Sequence, residues 1–398
     1  MKKRLLLLGG PVFQKPVVEK AKEMGLYVGV IDINAHAPAA ACADELFCAS
    51  IKDFDAALAA AREFNPDAVL SGACDTSVVT VARLCESLGL PGNSVEAAIN
   101  STDKVAMLRA FNSAEVAAPE YCLVRNGEIA NFECALKFPV ITKPTDSAGG
   151  RGINVAYSSG ELMAAIESSS KAGTSGDVLV EEFMRGREVS VEIIVSGGGI
   201  PHVLQVTDKL TSGAPHFFEI GHSQPASLSR AERAAVSNLA SRAVLSVGLS
   251  NSAAHVEVML TPDGPKMVEL GARVGGDWIT SHLINGSVSG INMVEAMIDI
   301  ALGKRIETWD YCDSGVCTAT KFMPAKEGAL RSISGIDAAE RVSGVTHVEV
   351  MGQIGHRYEK AVDDSARFAS VVAKGKSKEE ALAICDKALA MINVEMGE

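Results

Sequence analysis

Apolar positions in the first hundred residues alternate between the spacing of buried strands and the spacing of amphipathic helices. Short apolar runs predict strands, and apolar residues that recur every three or four positions between them predict helices packed on a sheet. The order predicts an α/β, doubly wound parallel sheet over residues 1–100. The predicted elements include strands Arg4–Leu8, Tyr27–Ile31 and Ala68–Leu70 and helices Gln14–Met24 and Ala56–Phe64.

Small and acidic residues lie at the tips of these predicted strands. Gly9-Gly10 followed by Asp32 resembles a dinucleotide site, but the Gly-x-Gly-x-x-Gly spacing of such sites is absent. Ligands of parallel sheets collect at the carboxyl ends of the strands. Gly10, Asp32 and Asp75 are therefore candidates for part of a substrate site.

A second pattern begins near residue 100, where Leu90–Asn93 interrupts the alternation. Ser101–Lys104 opens a helix, and later segments alternate polar and apolar residues with the period of antiparallel strands. In one of them Glu188, Ser190 and Glu192 share a face, although a solvated sheet face would give the same pattern. Other expected elements are strands Val203–Val206 and Phe217–Ile220, loops Asp208–Pro215 and Ser281–Gly290, and helix Arg230–Val247.

A glycine-rich segment follows the apolar run Phe138–Thr142. Lys143 lies at the end of that predicted strand, and Ser147–Gly152 forms the connection after it. Glycine permits positive φ angles and close backbone approach, so such a loop can place its N–H groups against phosphate oxygens. An ordinary glycine-rich turn has the same composition, so other groups must decide between the two interpretations.

The most informative stretch is a predicted hairpin, His255–Leu260 and Lys266–Leu270, joined through Asp263-Gly264. If Leu260 faces Lys266, Glu257 lies opposite Glu269 on one face, and the other face carries Val256, Val258, Val268 and Leu270. Facing carboxylates destabilise a sheet unless a cation lies between them, and magnesium is typically held by one or two carboxylates. The alternative is an exposed face with both glutamates in water, and a slip of one residue would remove the pairing.

Composition and charge narrow the classes of partner. The net charge of −12, without a basic run, argues against general nucleic-acid binding. No apolar run is long enough to span a bilayer, and the apolar part of the N-terminus, Leu5–Leu8, is too short for a signal peptide. The sequence contains no Cys-x-x-Cys pair of the kind that would indicate a zinc site. We therefore expect a cytoplasmic protein with small-molecule partners and no membrane partner.

The order of these motifs resembles the ATP-grasp superfamily of carboxylate–amine ligases, and the finer likeness is to the L-amino-acid (dipeptide) ligases. The resemblance covers nearly the whole chain and implies three domains, at residues 1–100, 101–302 and 303–398. The middle one is the ATP-grasp domain, with subdomains at about 101–177 and 178–302. The segments that carry the resemblance are Thr102–Lys104, Lys143-Pro144 with Ser147–Gly152, Glu181–Met184 with Glu188, Glu257, Glu269, Phe217–His222 and Gly271–Asp277.

The resemblance also implies a role for each matching residue. The C-terminal part, with predicted strands Val316–Phe322 and Thr346–Val350, would close against the grasp domain. Residues implied to contact ATP are Lys104, Lys143, Ser147, Gly149, Gly150, Arg151 and Gly152 at the phosphates, Glu181, Glu182, Phe183 and Met184 at the adenine, and Glu188 at the ribose.

Catalytic and metal roles follow from the same resemblance. Glu257 and Glu269 would bind Mg²⁺, for which Mn²⁺ is a possible substitute. Arg273 would stabilise the transferring phosphoryl group, and Glu219 and His222 would face the amino-acid substrates. Many relatives have Asn two residues after the second metal glutamate, where this chain has Gly271, so a second magnesium would lose a protein ligand.

The implied activity is ATP-dependent amide formation from a carboxylate and an amine through an acyl-phosphate, with release of ADP and phosphate. The substrates would be amino acids, and a homodimer is common in such enzymes. Two alternatives stay open from the sequence. One is a purine-pathway ligase or carboxylase of the same superfamily, and the other is an ATP-binding regulatory protein without turnover.

Overall fold

A parallel sheet of four strands forms the N-terminal part of the molecule. The computed structural model describes residues 2–128, 135–147, 149–213, 217–305, 310–364 and 366–397. The first elements are β1 (Arg4–Leu8), α1 (Lys15–Glu23), β2 (Tyr27–Ile31), β3 (Glu45–Phe47), α2 (Phe54–Phe64), β4 (Ala68–Leu70), α3 (Val78–Leu88) and α4 (Val95–Asn100). The strand order is β3-β2-β1-β4 with parallel pairings, which agrees with the predicted doubly wound sheet.

Local chemistry sets the ends of these helices. Asp53 caps α2 because its carboxylate accepts from the N–H groups of Asp55 and Ala56. Gly89 ends α3 with a φ of 66°, a left-handed conformation that glycine adopts without steric cost. Leu5 to Leu8 are fully buried, so β1 lies at the centre of this domain's core.

A smaller antiparallel sheet follows, with the order β5-β8-β6-β7. Its core contains Val124, Val140, Leu162 and Ile166, all nearly inaccessible to solvent. Its elements are α5 (Lys104–Ser113), β5 (Tyr121–Val124), β6 (Val140–Pro144), β7 (Asn154–Ala156), α6 (Ser159–Ala172) and β8 (Val178–Glu182).

The central feature is an antiparallel sheet of eight strands, ordered β13-β12-β9-β10-β11-β16-β20-β18. It crosses the predicted domain boundary at residue 303, since β11 pairs with β16. Its strands and helices are β9 (Arg187–Ser196), β10 (Ile200–Thr211), β11 (Glu219–Gln224), α7 (Arg230–Ser246), β12 (Ser252–Thr261), β13 (Gly264–Gly271), β16 (Cys317–Pro324), β18 (Val345–Val350), β20 (Arg367–Gly375) and α11 (Lys378–Leu389). The domain limits themselves stay predictions.

Shorter elements complete the C-terminal half. Strands β19, β17 and β21 form a separate sheet of three strands, and β14 pairs with β15. Their bounds, with the remaining helices, are α8 (Ile284–Ser287), β14 (Val288–Ser289), α9 (Met293–Ala301), β15 (Cys312–Asp313), β17 (Gly328–Ser334), α10 (Ile336–Glu340), β19 (Arg357–Tyr358) and β21 (Asn393–Gly397). Within the described parts of the chain, none of the helices has the length and apolar character that a membrane span requires.

The hairpin of β12 and β13 contains a bulge that the sequence did not indicate. Leu260 pairs with Pro265, not with Lys266 as expected, so the turn is one residue tighter. The register then shifts between Glu257 and Val258, which restores the predicted pairing of Glu257 with Glu269. The expected position of Val268 on the face opposite the glutamates was wrong. Met267 pairs with Val258 there and has 0% exposure, while Val268 is half-buried and has no pairing partner.

Three other expectations about segment ends were also wrong. Asp208–Thr211 continues β10 rather than forming a loop, because its pairing with β9 and β11 extends that far. The residues from Ser281 form helical turns up to Ser287, and the strand expected at Phe217 begins at Glu219. Ala148 of the predicted phosphate loop lies outside the described residues, as do residues 214–216.

The bulge gives a direct test of the hairpin register. Met267→Ala should lower the free energy of unfolding by about 2–5 kcal/mol, because it empties a fully buried site. Val268→Ala should lower it by only about 1 kcal/mol, since that side chain is half-buried. Denaturant unfolding of both variants makes the comparison. A larger loss at Val268 than at Met267 would contradict the bulge.

Candidate active site

Two facing carboxylates, Glu257 and Glu269, form the centre of the candidate site. They are paired across β12 and β13, with side chains 16% and 30% exposed. Each has a lysine partner: Lys209 Nζ lies 2.9 Å from Glu257 Oε1, and Lys104 Nζ lies 2.5 Å from Glu269 Oε2. Burial opposes ionisation of Glu257, but the nearby charges of Lys209 and His255 hold its pKa well below the usual range.

Lys209 is a site residue that sequence reasoning missed. Its ammonium group is nearly buried and contacts Glu188 at 2.7 Å, Glu219 at 2.8 Å and Glu257 at 2.9 Å. Burial would lower its pKa, but the three carboxylates raise it well above the ordinary value. The alternation of side chains along a strand could have indicated Lys209. Thr207 pairs with Ser190, and Lys209, two residues after Thr207, lies on the same face of β10.

On the face that carries Glu188, Ser190 and Glu192, Ser190 and Glu192 are fully buried and Glu188 is half-buried, so the solvated interpretation of this strand was wrong. Glu192 is fully buried and uses both carboxylate oxygens. Oε1 contacts Nδ1 of His255, and Oε2 accepts from the N–H of Gly275 at 3.1 Å. His255 Nε2 lies 3.5 Å from Glu257, so Glu192 supports the hairpin and the loop after it together. Burial lowers the pKa of His255, but Glu192 raises it to a net value of about 10.

The segment expected to bind the adenine lies at the end of β8. Glu181 is buried and pairs with Lys143 on β6, with Nζ and Oε2 2.8 Å apart. Glu182 pairs with Lys266 of the hairpin. Phe183 and Met184 are half-buried in the link between β8 and β9, and the Phe183 ring lies 6.4 Å from that of Phe217. Burial lowers the pKa of Lys143, but Glu181 and Glu269 raise it above the ordinary value.

The predicted phosphate loop connects β6 with β7. Gly149 and Gly150 are exposed and have φ angles of 67° and 74°, which only glycine adopts readily. Arg151 is exposed, Ser147 is half-buried, and Gly152 (φ 76°) packs so closely that a Cβ there would lie 2.5 Å from that of Ala172. The exposed part of the loop therefore rests on a tightly packed base.

Arg273 lies in the loop after β13 and is 17% exposed. Asp75, at the tip of the N-terminal sheet, accepts from its Nε at 2.7 Å and from its Nη2 at 2.9 Å. Burial lowers the pKa of Arg273, but Asp75 raises it above the ordinary value. Asp75 thus contacts the arginine that the resemblance implies to be catalytic, and its place in a substrate site stays a prediction.

Glu219 and His222 lie together on β11, as their expected common role requires. His222 Nε2 is 3.2 Å from Glu219 and 3.3 Å from Asp277, and Arg367 Nη1 donates to Asp277 at 2.8 Å. Burial lowers the pKa of His222, but Glu219 and Asp277 raise it to a net value of about 9, so the ring is a cation at neutral pH. Asp277 and Arg367 were given no role from the sequence.

The backbone of Glu219 is also held from the C-terminal half. Asp364 accepts from its N–H at 2.7 Å, and Arg367 Nη2 donates to its carbonyl at 3.1 Å. Burial and the Glu219 charge raise the pKa of Asp364 to about 7. Residues on β11, β20 and the loop before β20 therefore form one charged network beside the hairpin.

Two sets of side chains in this region could hold a metal ion. Glu257 and Glu269 offer hard oxygen ligands from facing strand positions, which suits magnesium. Glu219, His222 and Asp277 place ligand atoms within 4.8 Å of one another, but this set contains a cationic imidazole whose Nε2 already contacts both carboxylates. The hairpin pair therefore fits a magnesium ion better.

Two family models match the chain. Residues 136–282 match the model of the ATP-grasp domain, and residues 321–397 match that of the L-amino acid ligase C-terminal domain 2. Among curated relatives, alanine–anticapsin ligase of Bacillus subtilis (strain 168) is 27% identical over 266 residues, which are 60% of this chain and 55% of that protein. The chain thus spans about half the length of that relative.

Solved structures share the fold over the full chain. The L-amino acid ligase from Bacillus licheniformis aligns with a TM-score of 0.85 and 22% identity over 100% of this chain and 99% of its own. The phosphoribosylglycinamide synthetase from Anaerococcus prevotii aligns with a TM-score of 0.77 and 22% identity over 100% of both chains. The predicted ATP-grasp fold is confirmed, and the chain contains an ATP-grasp domain at residues 136–282 and an L-amino acid ligase C-terminal domain 2 at residues 321–397.

Proposed function

We propose that this protein joins the carboxylate of one amino acid to the amine of another, using ATP and releasing ADP and phosphate. The main support for this proposal is structural: Glu257 pairs with Glu269, and the cations Lys209 and Lys104 contact them. In an ATP-grasp fold this arrangement suits the triphosphate of a bound nucleotide with its metal. The match to an L-amino acid ligase domain supports amino acids as the substrates.

The first step is phosphorylation of the substrate carboxylate. A carboxylate oxygen attacks the γ-phosphorus of ATP, the bond to the β–γ bridging oxygen breaks, and ADP leaves. Lys104 and Lys143 hold the phosphates, and Arg273 neutralises charge on the transferring phosphoryl group. Magnesium, when bound by Glu257 and Glu269, supplies further neutralisation of the phosphate oxygens. The glycine loop excludes water from the site.

The second step is attack on the acyl-phosphate. The amine nitrogen attacks the carbonyl carbon, the acyl carbon–oxygen bond breaks, and phosphate leaves as the nitrogen loses a proton. His222 is positively charged and stabilises the oxyanion that develops on the carbonyl oxygen. Glu219 and Asp277 keep His222 charged and oriented. Glu219 also offers a carboxylate to the amino group of a substrate.

A purine-pathway ligase is the second candidate, because the phosphoribosylglycinamide synthetase shares the fold over its full length. Incubation with ATP, magnesium and a panel of amino-acid pairs separates the candidates. We expect phosphate release only when a carboxylate and an amine are both present, with a product whose mass is their sum less one water. Release with a phosphoribosyl substrate, and with no amino-acid pair, would favour the second candidate. Tight ATP binding without any turnover would indicate a regulatory protein.

The metal assignment is tested by Glu269→Gln, which keeps the size of the side chain and removes its charge. We expect phosphate release to fall by about 100-fold or more, because a metal contribution of several kcal/mol to the transition state is lost. The control is Asp263→Asn in the exposed turn of the same hairpin, which should leave the rate unchanged. Full activity of a folded Glu269→Gln protein would contradict the assignment.

A further inference from the structure

A carboxylate from the N-terminal sheet reaches the loop that follows the hairpin. Asp75 is the first residue of a short 3-10 turn after β4, and Arg273 lies 198 residues later in the chain. The two side chains make a bidentate pair at 2.7 and 2.9 Å. Such a fork fixes the plane of the guanidinium as well as its position. The orientation of the Arg273 guanidinium therefore depends on a residue outside the matched ATP-grasp segment, 136–282.

Gly271 provides the room for this contact. A Cβ at position 271 would lie 2.6 Å from Oδ1 of Asp75 and 3.3 Å from Nε of Arg273. The backbone of Gly271 is not among the glycines with positive φ, so its conformation would accept a side chain. The carboxylate of Asp75 thus occupies the space that the Cβ of any other residue at position 271 would need.

The remaining donors of Arg273 are few and directed. A guanidinium has five N–H groups, of which Asp75 accepts one from Nε and one from Nη2. Nη1 donates a third to the carbonyl of Val274 at 3.1 Å. These three contacts leave one N–H on each terminal nitrogen. Rotation of the guanidinium would exchange these free groups for the engaged ones, so its orientation decides what Arg273 offers.

We propose that Asp75 is a positioning residue that orients Arg273 toward the transferring phosphoryl group, in the space left by the missing side chain at position 271. This inference rests on the proposed ligase function. The N-terminal domain then contributes to the chemical step through Asp75, and the site is complete only when that domain lies against the hairpin.

Asp75→Asn is the first variant, because it keeps the shape of the side chain but places an N–H₂ group or a neutral oxygen against the guanidinium. We expect kcat to fall by about 10- to 100-fold, the size of effect that a misplaced catalytic group produces. The dissociation constant of ADP, measured by calorimetry, should change less than about twofold, since the phosphate lysines are untouched. Asp44→Asn, which removes a carboxylate paired with Lys22 inside the N-terminal domain, should keep wild-type kcat.

Gly271→Ala is the second variant and leaves the Asp75 carboxylate in the protein. Its methyl group would displace Asp75, so we expect a loss of kcat similar to that of Asp75→Asn. Gly276→Ala is the matched control in the same loop, because its Cβ would meet only Ala73 at 3.5 Å and Phe13 at 4.0 Å, which are ordinary contact distances. Its kcat should equal that of the wild type.

The double variant Asp75→Asn/Gly271→Ala distinguishes orientation from general damage. If both changes act through Arg273, the double variant should lose no more than the larger single loss. Losses that multiply, or wild-type kcat in Asp75→Asn, would overturn the inference while leaving the proposed function in place. Absence of turnover in the unaltered protein would instead overturn the proposed function and this inference with it. Circular dichroism spectra of each variant, compared with that of the unaltered protein, are the control for folding.

Discussion

Repulsion between two carboxylates on neighbouring strands is the constraint on which the rest of the site depends. Glu257 and Glu269 face one another where a sheet normally avoids like charges. The chain compensates with cations from three directions: Lys104 from α5, Lys209 from β10 and Lys143 from β6, whose pKa is itself raised by Glu269. The concentration of positive charge around these carboxylates supports our proposal that the pair binds a divalent ion beside a triphosphate.

The bulge in the hairpin is what makes this pairing possible. With the observed turn and no bulge, Glu257 would pair with Val268, and the two glutamates would no longer face one another across the strands. One extra residue moves Glu269 into place and keeps Met267 in the core. A local irregularity therefore serves the site, while the buried Glu192 holds the hairpin and the Arg273 loop in a fixed relation.

Local patterns were enough to predict the parallel sheet, the hairpin and the facing glutamates, because each depends on spacing within a few residues. The Glu257–Glu269 pairing was correct although its premise was not, since an error of one residue in the turn was cancelled by the bulge. Lys209 was missed because β10 was expected to end before it. The contacts of Asp75 with Arg273 and of Arg367 with Asp277 join residues 198 and 90 positions apart, and no spacing rule in the sequence indicates such contacts.

We propose that the carboxylates of the hairpin, Glu257 and Glu269, hold the metal of a bound nucleotide. The most direct measurement is a crystal structure with ADP and Mn²⁺, in which anomalous scattering locates the ion. We expect an anomalous peak about 2.0–2.2 Å from oxygens of both Glu257 and Glu269, with phosphate oxygens completing the coordination. A peak at Glu219, His222 and Asp277 with none at the hairpin would contradict it.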